Sequence, residues 1–570
     1  MGLKTPSDAL VTLTRGAFAH AGSSLGLKTG DWRVTRPVHV HRASPCHNAC
    51  PAGENPQAYL ALVEEDPRAA WSKLVSANPL PAVTGRVCHH PCESECNRGR
   101  FDEPVAIHAI ERFLGDQAIE HGWDYPAAKP PPDALEVAVV GAGPAGLSAA
   151  YHLSRRGYLV TLFEARSEPG GLLRSAIPAY RLPRSVVERE IERLLSVGIR
   201  LEPNRRLGRD MILADLEKSF RAVFLAPGAE RGREWSVGGV VPRDLRNGLE
   251  LLQEWISIGS LPKYERVAII GGGNTSVDLA RVLKFNGVPE VHVISFRTRP
   301  GPGVSPDEAM PALAREVKQA IEEGVIIDDC RGVTRLILRG EQVVGVELVH
   351  MKKLPQPDGT RKPVAFEGTE TVLRVDHVIP AIGEEVEPFG MEAVLGANRF
   401  FAVDAEGQVQ GCRGIFAGGD ARLGGGTVSD AVGDGRRAAE AIDRYIRGVA
   451  LAAKAAPPSI GIGELNLNYF DHAPRAEIRF LAPEERNAEA EIEAPLGAGE
   501  VARESERCFS CGECMTCDNC WTLCPDNAVL KTMETASDGS HYVFDYDYCK
   551  GCGLCARECP VGFIAMVDEP

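Results

Sequence analysis

Two apolar runs in the middle of the chain lead directly into glycines. LEVAVVGAGPAGLSAAYHL covers residues 135–153, and YERVAIIGGGNTSVDLARVL covers residues 264–283. Each run suits a buried strand, the glycines suit a tight turn, and the residues that follow repeat at helical spacing. The pattern predicts a strand, turn and helix at both places. The segment from about 450 to 505 has little periodic apolar pattern, which favours a linker with short pieces of structure.

Composition and charge narrow the class of protein. At 570 residues the chain is long enough for several domains, and its 44% hydrophobic and 25% charged residues are ordinary for a globular protein. The formal charge of −15 argues against nucleic acid or an anionic membrane surface as the main partner, because both attract basic faces. No apolar stretch is long enough for a membrane span, and the N-terminus lacks the apolar core of a secretory signal. We therefore expect a cytoplasmic location.

The first glycine-rich unit has the chemistry of a dinucleotide site. Gly141, Gly143 and Gly146 form GxGxxG directly after the strand pattern, and Glu164 ends the next strand, where an acid would bind a ribose hydroxyl. The helix that begins at Pro144 would offer its N-terminal amides to the pyrophosphate. The alternative is a glycine-rich turn that serves packing alone.

The second unit carries GGGN at residues 271–274, followed by a strand, EVHVISF, that ends near Arg297 and Arg299. No acid occupies the ribose position here. The two arginines could instead bind a 2′-phosphate, which favours NADP over NAD. The alternative is that both are solvated loop residues. Two nucleotide units in one chain indicate a flavin enzyme that exchanges electrons with a nicotinamide.

Cysteines are concentrated at the two ends of the chain. Of 17, five lie between Cys46 and Cys96 and ten between Cys508 and Cys559. Two C-terminal runs match C-x2-C-x2-C-x3-C-P, the two-cluster ferredoxin signature in which the fourth cysteine binds the other cluster. This predicts one [4Fe-4S] cluster on Cys514, Cys517, Cys520 and Cys559, and a second on Cys549, Cys552, Cys555 and Cys524. Two zinc sites are the alternative. Residues 506–570 hold 11 acidic and 4 basic residues, so this module would seek a basic docking face.

The middle of the chain also contains the stretches GAGPAGL, EPGGLLRSAIPAYRLPR, GGGNTSVD, MPA, EEGV, AIG and AGGD. Together they resemble the small subunit of bacterial glutamate synthase, the matching half of dihydropyrimidine dehydrogenase and the bifurcating ferredoxin:NADP oxidoreductases. The resemblance covers roughly residues 40–450. It implies FAD against Gly171, Leu172 and Arg181, with Gly419 and Asp420 at the ribityl and phosphate part. The family's paired arginines after the second strand read FRTR here.

From the motifs and the resemblance we expect the nucleotide sites to use Gly141, Gly143, Pro144, Ala145, Gly146, Glu164, Gly171, Leu172, Arg181, Gly228, Gly271, Gly273, Asn274, Thr275, Arg297, Arg299, Gly383, Gly419, Asp420, Thr427 and Val428. We assign no acid or base, because hydride transfer needs none. No CxxC lies beside either nucleotide unit, which argues against a disulfide reductase.

The N-terminal cysteines are interpreted through the same resemblance. It implies two [4Fe-4S] clusters in this domain, one held by Cys50, Cys88, Cys92 and Glu111, and another that begins with Cys46 and Cys96. The family's leading CxxC is absent, and its positions hold Val38 and His41. A zinc site is the alternative, suggested by His39, His41, His47, His89 and His90.

Cys508 and Cys511 are left over by both ferredoxin motifs. They lie in ESERCFSC, which resembles the element that the N-terminal domain lacks. We predict that the linker returns the chain to the N-terminal domain, so that this pair completes a cluster with Cys46 and Cys96. A linker of about 50 residues can span a domain at ~3.3 Å per extended residue. The alternatives are vestigial thiols or another register of the ferredoxin motif.

The predicted fold class is α/β. We expect a helical iron-sulfur domain over 1–130, an FAD domain over 131–261 and 376–450, an inserted NAD(P) domain over 262–375, a linker over 451–505 and an α+β ferredoxin-like domain over 506–570.

The function that these expectations favour is an FAD-dependent oxidoreductase moving electrons between NAD(P)H and iron-sulfur clusters. We expect the partner to be ferredoxin or a larger oxidoreductase subunit in a hetero-oligomer. The alternatives are a glutamate synthase small subunit, the flavoprotein linked to dissimilatory sulfite reductase, or a non-catalytic assembly subunit with degenerate nucleotide sites.

Overall fold

The structure is a computed structural model that describes residues 13–15 and 28–569, except 243–244, 358, 389, 397, 450–456 and 533–539. The first residues of the predicted N-terminal domain and of the predicted linker therefore lie outside the described residues. The described part is a mixed α/β structure with a helical N-terminal region and a small C-terminal region of short helices and strands, so the predicted fold class is confirmed. No described helix combines the length and apolar character that crossing a bilayer requires.

The N-terminal region is built from short helices. A proline in the first turn, where its missing amide costs nothing, begins five of the six α-helices described between residues 45 and 121. Their core, which includes Trp71, Leu74 and Ile110, is continuous with the core of the first nucleotide unit. The helices are Pro45–Ala49, Pro56–Leu60, Pro67–Leu74, Pro81–Val87, Pro91–Ser94 and Ile107–His121.

The first nucleotide unit contains a five-stranded parallel sheet. Its strands lie in the order Ile415–Ala417, Ala222–Leu225, Glu136–Val140, Leu159–Phe163 and Arg200–Glu202. The chain leaves this sheet after residue 225 and returns to it at 415, so the second unit lies between two strands of the first. Helices of this unit are Pro144–Ser154, Leu172–Ser175, Arg184–Leu195, Leu213–Ser219, Asp420–Leu423 and Val428–Arg447.

The second nucleotide unit has a four-stranded parallel sheet in the order Ile326–Asp329, Glu290–Ser295, Arg266–Ile270 and His377–Pro380. The last of these strands extends the unit beyond residue 375. Its helices are Gly248–Ile258, Asn274–Phe285 and Ala314–Glu322. An antiparallel sheet is formed by Arg331–Arg339, Gln342–Pro355 and Arg361–Leu373, and the short strands Arg231–Gly232 and Glu384–Glu385 pair where the chain passes between the units.

The two ends of the chain meet in the C-terminal region. Strand Val529–Thr532 pairs with Tyr542–Phe544 and with Leu13–Arg15, and strand Ile564–Asp568 pairs antiparallel with Thr35–His39. Residues 28–42, which the sequence groups with the N-terminal domain, thus lie on the ferredoxin-like region. The helices here are Ala498–Glu506, Asn519–Thr522 and Leu554–Arg557.

Candidate nucleotide and iron-sulfur sites

The first glycine loop makes a tight turn at the carboxyl edge of the five-stranded sheet. Gly141 has a φ of +101°, and a side chain there would place Cβ 2.2 Å from the carbonyl oxygen of Ala226. A Cβ on Gly146 would lie 1.8 Å from the carbonyl oxygen of Gly141, so the helix can pack against the turn only without a side chain. The loop therefore directs the start of helix Pro144–Ser154 toward the adjoining cavity.

A cavity of about 330 Å³ lies at this edge. Most of the predicted first-site residues line it, together with two from the second glycine motif. These are Gly141, Gly143, Pro144, Ala145, Glu164, Gly171, Leu172, Arg181, Gly228, Asn274, Thr275, Gly419, Asp420, Thr427 and Val428. Gly146, Gly271, Gly273, Gly383, Arg297 and Arg299 do not line it, although Gly146 packs beneath the turn.

The donor and acceptor groups of the cavity fit a dinucleotide. Helices Pro144–Ser154 and Val428–Arg447 both begin there, the second with a Thr427 and Asp430 capping box, and helix N-termini favour anions. Oδ1 of Asp420 is buried and has no hydrogen-bond partner among the described residues. Burial, with a further contribution from Asp430, raises the pKa of Asp420 to about 6. A buried acceptor of this kind matches the hydroxyls of a flavin nucleotide chain.

Glu164 lies at the cavity, where the ribose acid was predicted. Its Oε2 accepts a hydrogen bond from the amide of Ala142 at 2.9 Å, and its Oε1 accepts one from the amide of Arg166 at 2.8 Å. These bonds hold the carboxylate against the glycine loop. Among the described residues that line the cavity none is a cysteine, so no dithiol faces the nucleotide.

The second glycine loop has the same construction. Gly271, with a φ of +143°, passes the carbonyl oxygen of Ala381 so closely that a Cβ would lie 2.2 Å from it, and helix Asn274–Phe285 follows. Arg297 and Arg299 lie just beyond strand Glu290–Ser295. The guanidinium of Arg297 donates to the carbonyl of Ala309 at 3.2 Å. That of Arg299 lies 3.3 Å from Asp329 and is half exposed, so a phosphate could still reach it.

His89 is a cavity residue that sequence analysis did not assign to the nucleotide site. Its side chain lines the cavity, and its Nε2 accepts a hydrogen bond from Nδ2 of Asn274 at 2.9 Å. Because His89 follows Cys88, the N-terminal region, the first nucleotide unit and the second glycine motif meet at this point. In the sequence, the one feature that could have indicated a role for His89 is its position directly after Cys88.

Cys50, Cys88 and Cys92 lie together with Glu111 in the N-terminal region. Burial raises the pKa of the Cys50 and Cys88 thiols, and the charge of Glu111 contributes at both. Burial also raises the pKa of the Cys92 thiol, with contributions from Cys50 and Cys88. The four side chains that were predicted to share a cluster are therefore neighbours.

A second carboxylate, that of Glu54, lies in the same place and was missed by sequence analysis. Nδ2 of Asn78 donates to Glu54 at 2.8 Å and to Glu111 at 2.9 Å, and Thr84 Oγ1 donates to Glu111. Burial raises the pKa of Glu54 to about 7. Glu54 lies four residues after Cys50 in CPAGE, but nothing local distinguishes it from a surface acid.

Cys46, Cys96, Cys508 and Cys511 line one small cavity. The C-terminal pair reaches it because the segment after helix Ala498–Glu506 docks on the N-terminal helices. Nε2 of Gln57 donates to the carbonyl of Cys511 at 2.8 Å. The amide of Ala106 donates to the buried Glu504 at 2.8 Å. The predicted return of the chain to the N-terminal region is thus present in the structure.

The loop at Cys508 has the backbone conformation of the two ferredoxin loops. In the stretches Cys508–Cys511, Cys514–Cys517 and Cys549–Cys552, the residue before the second cysteine and the residue after it both have positive φ. The pairs are Ser510 (+50°) and Gly512 (+78°), Thr516 (+54°) and Asp518 (+64°), and Gly551 (+72°) and Gly553 (+77°). Left-handed residues in such loops turn amides toward bound anions, including iron-sulfur centres. The amide of Ser510 accordingly donates to the sulfur of Cys508 at 3.5 Å.

The eight ferredoxin-motif cysteines fall into the two predicted sets. Burial raises the pKa of the Cys520 thiol, with contributions from Cys514, Cys517 and Cys559 and also from Cys555 of the other set. Burial likewise raises the pKa of the Cys555 thiol, with contributions from Cys549, Cys524 and Cys552. The second set lines a small cavity of its own. Amide-to-sulfur bonds from Ala528 to Cys524 at 3.2 Å and from Phe563 to Cys559 at 3.3 Å support the crossing ligands. Cys517 and Cys552 are exposed.

The histidines considered for zinc are dispersed. The ring of His39 stacks on Phe563, and His89 lies at the nucleotide cavity. His90, Glu93 and His108 do lie together, with ligand atoms within 4.8 Å. However, both nitrogens of His108 already donate to carboxylates, to Glu93 at 2.7 Å and to Glu493 at 3.3 Å. Burial opposes the charge on His108, but the two acids outweigh burial and raise its pKa, which fits an ion pair better than a metal centre.

Comparison with known proteins agrees with this geometry. The family described as pyridine nucleotide-disulphide oxidoreductase matches residues 135–435. The 4Fe-4S domain II of dihydropyrimidine dehydrogenase matches residues 35–123, and a 4Fe-4S dicluster domain matches residues 513–563.

Three relatives extend the comparison. The NADP(+)-dependent formate dehydrogenase subunit beta of Moorella thermoacetica is 36% identical over 71% of this chain and 60% of its own length. The NADPH-Fe(3+) oxidoreductase subunit beta of Geobacter sulfurreducens is 35% identical over 72% of this chain and 66% of its own length. The glutamate synthase [NADPH] small chain of Azospirillum brasilense is 31% identical over 72% of this chain and 88% of its own length. The chain therefore spans less than two thirds of the first two relatives.

Two glycine-loop units that share one cavity, flanked by cysteine sets at both ends, define a flavoprotein oxidoreductase with iron-sulfur domains. The chain belongs to the pyridine nucleotide-disulphide oxidoreductase family, in the company of the glutamate synthase small chains, as the sequence resemblance implied. Its cofactors are FAD, a nicotinamide nucleotide and [4Fe-4S] clusters.

Proposed function

We propose that this chain is the NAD(P)H-linked electron-transfer subunit of a larger oxidoreductase, with the nicotinamide and flavin at one end of a row of four clusters and a protein acceptor at the other. One observation carries the proposal: short segments of chain connect the nucleotide cavity to the first cysteine set and each set to the next. The last set in this row contains the exposed Cys552.

The first link joins the cavity to the N-terminal clusters. Val87 and His89 line the cavity on either side of Cys88 in sequence. Cys46 is the second residue of helix Pro45–Ala49, and Cys50 follows that helix directly. Cys92 is the second residue of helix Pro91–Ser94, and Cys96 lies two residues beyond its end. Because a helix rises only ~1.5 Å per residue, the two clusters on these four cysteines would be close neighbours.

The second link joins the N-terminal clusters to the ferredoxin-like pair. Cys511, from the set beside Cys46, is three residues from Cys514. The amide of Gly512 donates to the carbonyl of Val561 at 2.8 Å, which holds this loop against the segment that follows Cys559.

The last link crosses the ferredoxin-like region. Cys520 and Cys524 flank the last residues of helix Asn519–Thr522, and Cys555 and Cys559 do the same around helix Leu554–Arg557. Each pair would supply one ligand to each of the two clusters. The outer set, which we call the distal set, contains Cys524, Cys549, Cys552 and Cys555, and its exposed Cys552 provides the exit to a partner.

The chain's own residues hold the reactants. Bound FAD would supply the exchange between two-electron transfer from NAD(P)H and one-electron transfer to the clusters. Helices Pro144–Ser154 and Val428–Arg447 would bind the FAD phosphates, with Asp420 as a hydrogen-bond acceptor. Arg297 and Arg299 would bind the 2′-phosphate of NADP. The network of Glu54, Asn78 and Glu111 would hold the one non-cysteine ligand of the first cluster in place.

The relatives support a place in a hetero-oligomer, since the Moorella and Geobacter relatives are both named as beta subunits. The ferredoxin-like region fits an acceptor or donor with a basic face, whether ferredoxin or a larger oxidoreductase subunit. A glutamate synthase small subunit is the second candidate, which the Azospirillum relative favours.

Separate acceptors test the proposed path in the anaerobically purified protein. Truncation before Glu506 would also remove Cys508 and Cys511, so the sharper variant is Cys549→Ala with Cys552→Ala. We expect NADPH to bleach the flavin at the normal rate and ferricyanide to be reduced from the flavin, whereas reduction of cytochrome c falls at least tenfold. The matched control is Cys330→Ala with Cys412→Ala, two cysteines outside every set.

The outcomes separate the parts of the proposal. An unchanged cytochrome c rate in the distal variant places the exit elsewhere. Failure of NADPH and NADH to bleach the flavin of the unsubstituted protein rejects the oxidoreductase function and favours an assembly subunit. Anaerobic co-purification from the native host then identifies the partner.

A further inference from the structure

Residues 28–42 form a segment, called here the N-terminal strap, that runs along the ferredoxin-like region. Its strand Thr35–His39 pairs with Ile564–Asp568. The amide of Gly30 donates to the carbonyl of Asp547 at 3.0 Å, and the amide of Val40 donates to that of Phe563 at 2.9 Å. Backbone bonds thus fix the strap along its length.

The strap contacts the distal set directly. Pro37 lines the small cavity between Cys524, Cys549, Cys552 and Cys555. A Cβ on Gly551 would lie 2.2 Å from the carbonyl oxygen of Thr35 and 2.9 Å from Cβ of Arg33. The loop that carries Cys549 and Cys552 therefore packs against the strap without intervening space.

Arg33 brings a cation to this loop. Its Nη1 donates to the carbonyl oxygen of Cys549 at 3.3 Å and to that of Tyr546. Its side chain is only 12% exposed. Its Nε and Nη2 bind the carboxylate of Glu569 at 2.6 and 2.7 Å. The carboxylate therefore lies on the edge of the guanidinium away from Cys549, and the positive end of the pair faces the distal set.

A carboxylate–lysine pair lies beside the distal set and beside the neighbouring set on Cys514, Cys517, Cys520 and Cys559. Asp518 follows Cys517 directly in the sequence. Asp518 is itself paired with Lys531 at 2.7 Å. Asp526 and Lys550 line the distal cavity and lie 3.3 Å apart, so the difference between the two sets is Arg33, the cation that the strap adds at the distal set.

Reduction adds negative charge to a cluster, and cluster potentials depend on net charge, hydrogen bonds and solvent exposure. A cation screened from water stabilises the reduced form more than an exposed one does, because the surrounding dielectric is lower. The cluster beside Arg33 should therefore accept an electron more readily than its neighbour.

We propose that Arg33 of the N-terminal strap is a positioning residue that raises the reduction potential of the distal cluster above that of its neighbour. The proposal rests on the distal cluster of the proposed function. Electrons would then collect at the cluster nearest the exposed Cys552, and the chain's N-terminal segment would set the driving force at its C-terminal exit.

Redox titration of the full-length protein, followed by EPR, tests this. We expect Arg33→Gln to lower the midpoint of the distal signal by at least about 59 mV, a tenfold change in its reduction equilibrium. Glu569→Gln should raise the same midpoint. The Cys549→Ala, Cys552→Ala variant identifies the distal signal by its loss. The control is Lys28→Gln, a strap cation 63% exposed in its pair with Asp547, for which we expect no shift.

Opposite shifts of the midpoint in Arg33→Gln and Glu569→Gln would distinguish an effect of charge from a loosening of the strap, which both substitutions could cause. If Arg33→Gln and Glu569→Gln shift the midpoint the same way, or if neither shifts it, the Arg33 proposal is rejected while the proposed electron path stands. If the unsubstituted protein lacks the distal signal altogether, the distal cluster of the proposed function is rejected, and the Arg33 proposal with it.

Discussion

Nη1 of Arg181 lies 2.7 Å from Oδ2 of Asp278, and both side chains are buried. Arg181 follows the first nucleotide unit's EPGG stretch, and Asp278 lies on helix Asn274–Phe285 of the second unit. The resemblance implied only an FAD contact for Arg181. Arg181 does line the cavity, and it also joins the two nucleotide units by a charge pair.

The first prediction concerns this pair. Arg181→Met should lower the midpoint temperature of flavin release, because removing one partner of a buried pair costs about 3 to 5 kcal/mol and leaves Asp278 uncompensated. The double variant Arg181→Met, Asp278→Leu should recover much of the loss. Flavin fluorescence during heating measures both. If the double variant falls by the sum of the single variants, the two residues act independently.

The second prediction concerns the cysteine set shared by both ends of the chain. Cys508→Ala with Cys511→Ala should remove about four iron atoms per chain and leave both ferredoxin EPR signals, because the other three sets keep all their ligands. Iron analysis of anaerobically purified protein measures this. Cys330→Ala with Cys412→Ala is the control, and an iron content equal to the control would show that Cys508 and Cys511 bind no cluster.

The third prediction concerns the choice of nicotinamide. Arg297→Ala should lower kcat/KM for NADPH roughly 10- to 100-fold, since a hydrogen bond to a charged group contributes about 1.5 to 3 kcal/mol. The value for NADH should not change. Ferricyanide reduction measures both. Arg335→Ala, in an exposed pair with Glu347, is the control. A preference of the unsubstituted enzyme for NADH contradicts the assignment of Arg297.

The fourth prediction concerns pH. The pKa of Asp420 is raised to about 6, so the apoprotein increasingly carries a neutral Asp420 as the pH falls below 6. If FAD donates a hydroxyl hydrogen bond to the carboxylate, its affinity should fall up to about tenfold per pH unit there and level off above pH 6. Fluorescence titration of the apoprotein measures this. Asp420→Asn should flatten the profile, while the exposed Asp215→Asn should keep it. If Asp420→Asn keeps the pH profile of the unsubstituted protein, the pH dependence of FAD affinity does not come from Asp420, and the prediction is wrong.

Features set by neighbouring residues could be predicted from the sequence. The glycine loops need backbone freedom at fixed positions, and the ferredoxin cysteines have fixed spacing, so both motifs are visible in a single sequence. The insertion of one nucleotide unit in the other was implied by the family resemblance, which rests on such local motifs. These elements need no knowledge of distant contacts.

Features that depend on distant contacts were missed. The partner of Arg33 at Glu569 is 536 residues away, and no local pattern indicates that the strap pairs with the last strand. In the sequence Glu54 cannot be distinguished from a surface acid, and only the fold brings Asn78 and Glu111 to it. His89 becomes a cavity residue only because Asn274, 185 residues later, reaches it. Cys508 and Cys511 were an exception, because the ferredoxin motifs left these two cysteines unused and the N-terminal domain lacked the two cysteines of one CxxC.

The contact between segments from the two ends of the chain also constrains when a cluster can be inserted during biosynthesis. Asn97 and Cys511 are 414 residues apart, yet Asn97 Nδ2 lies 3.5 Å from the sulfur of Cys511. At translation rates of 5 to 20 residues per second, Cys511 is synthesised roughly 20 to 80 s after Cys96. A cluster held by Cys46, Cys96, Cys508 and Cys511 would therefore be inserted after synthesis is almost complete, and the nascent thiols would need protection from oxidation until then.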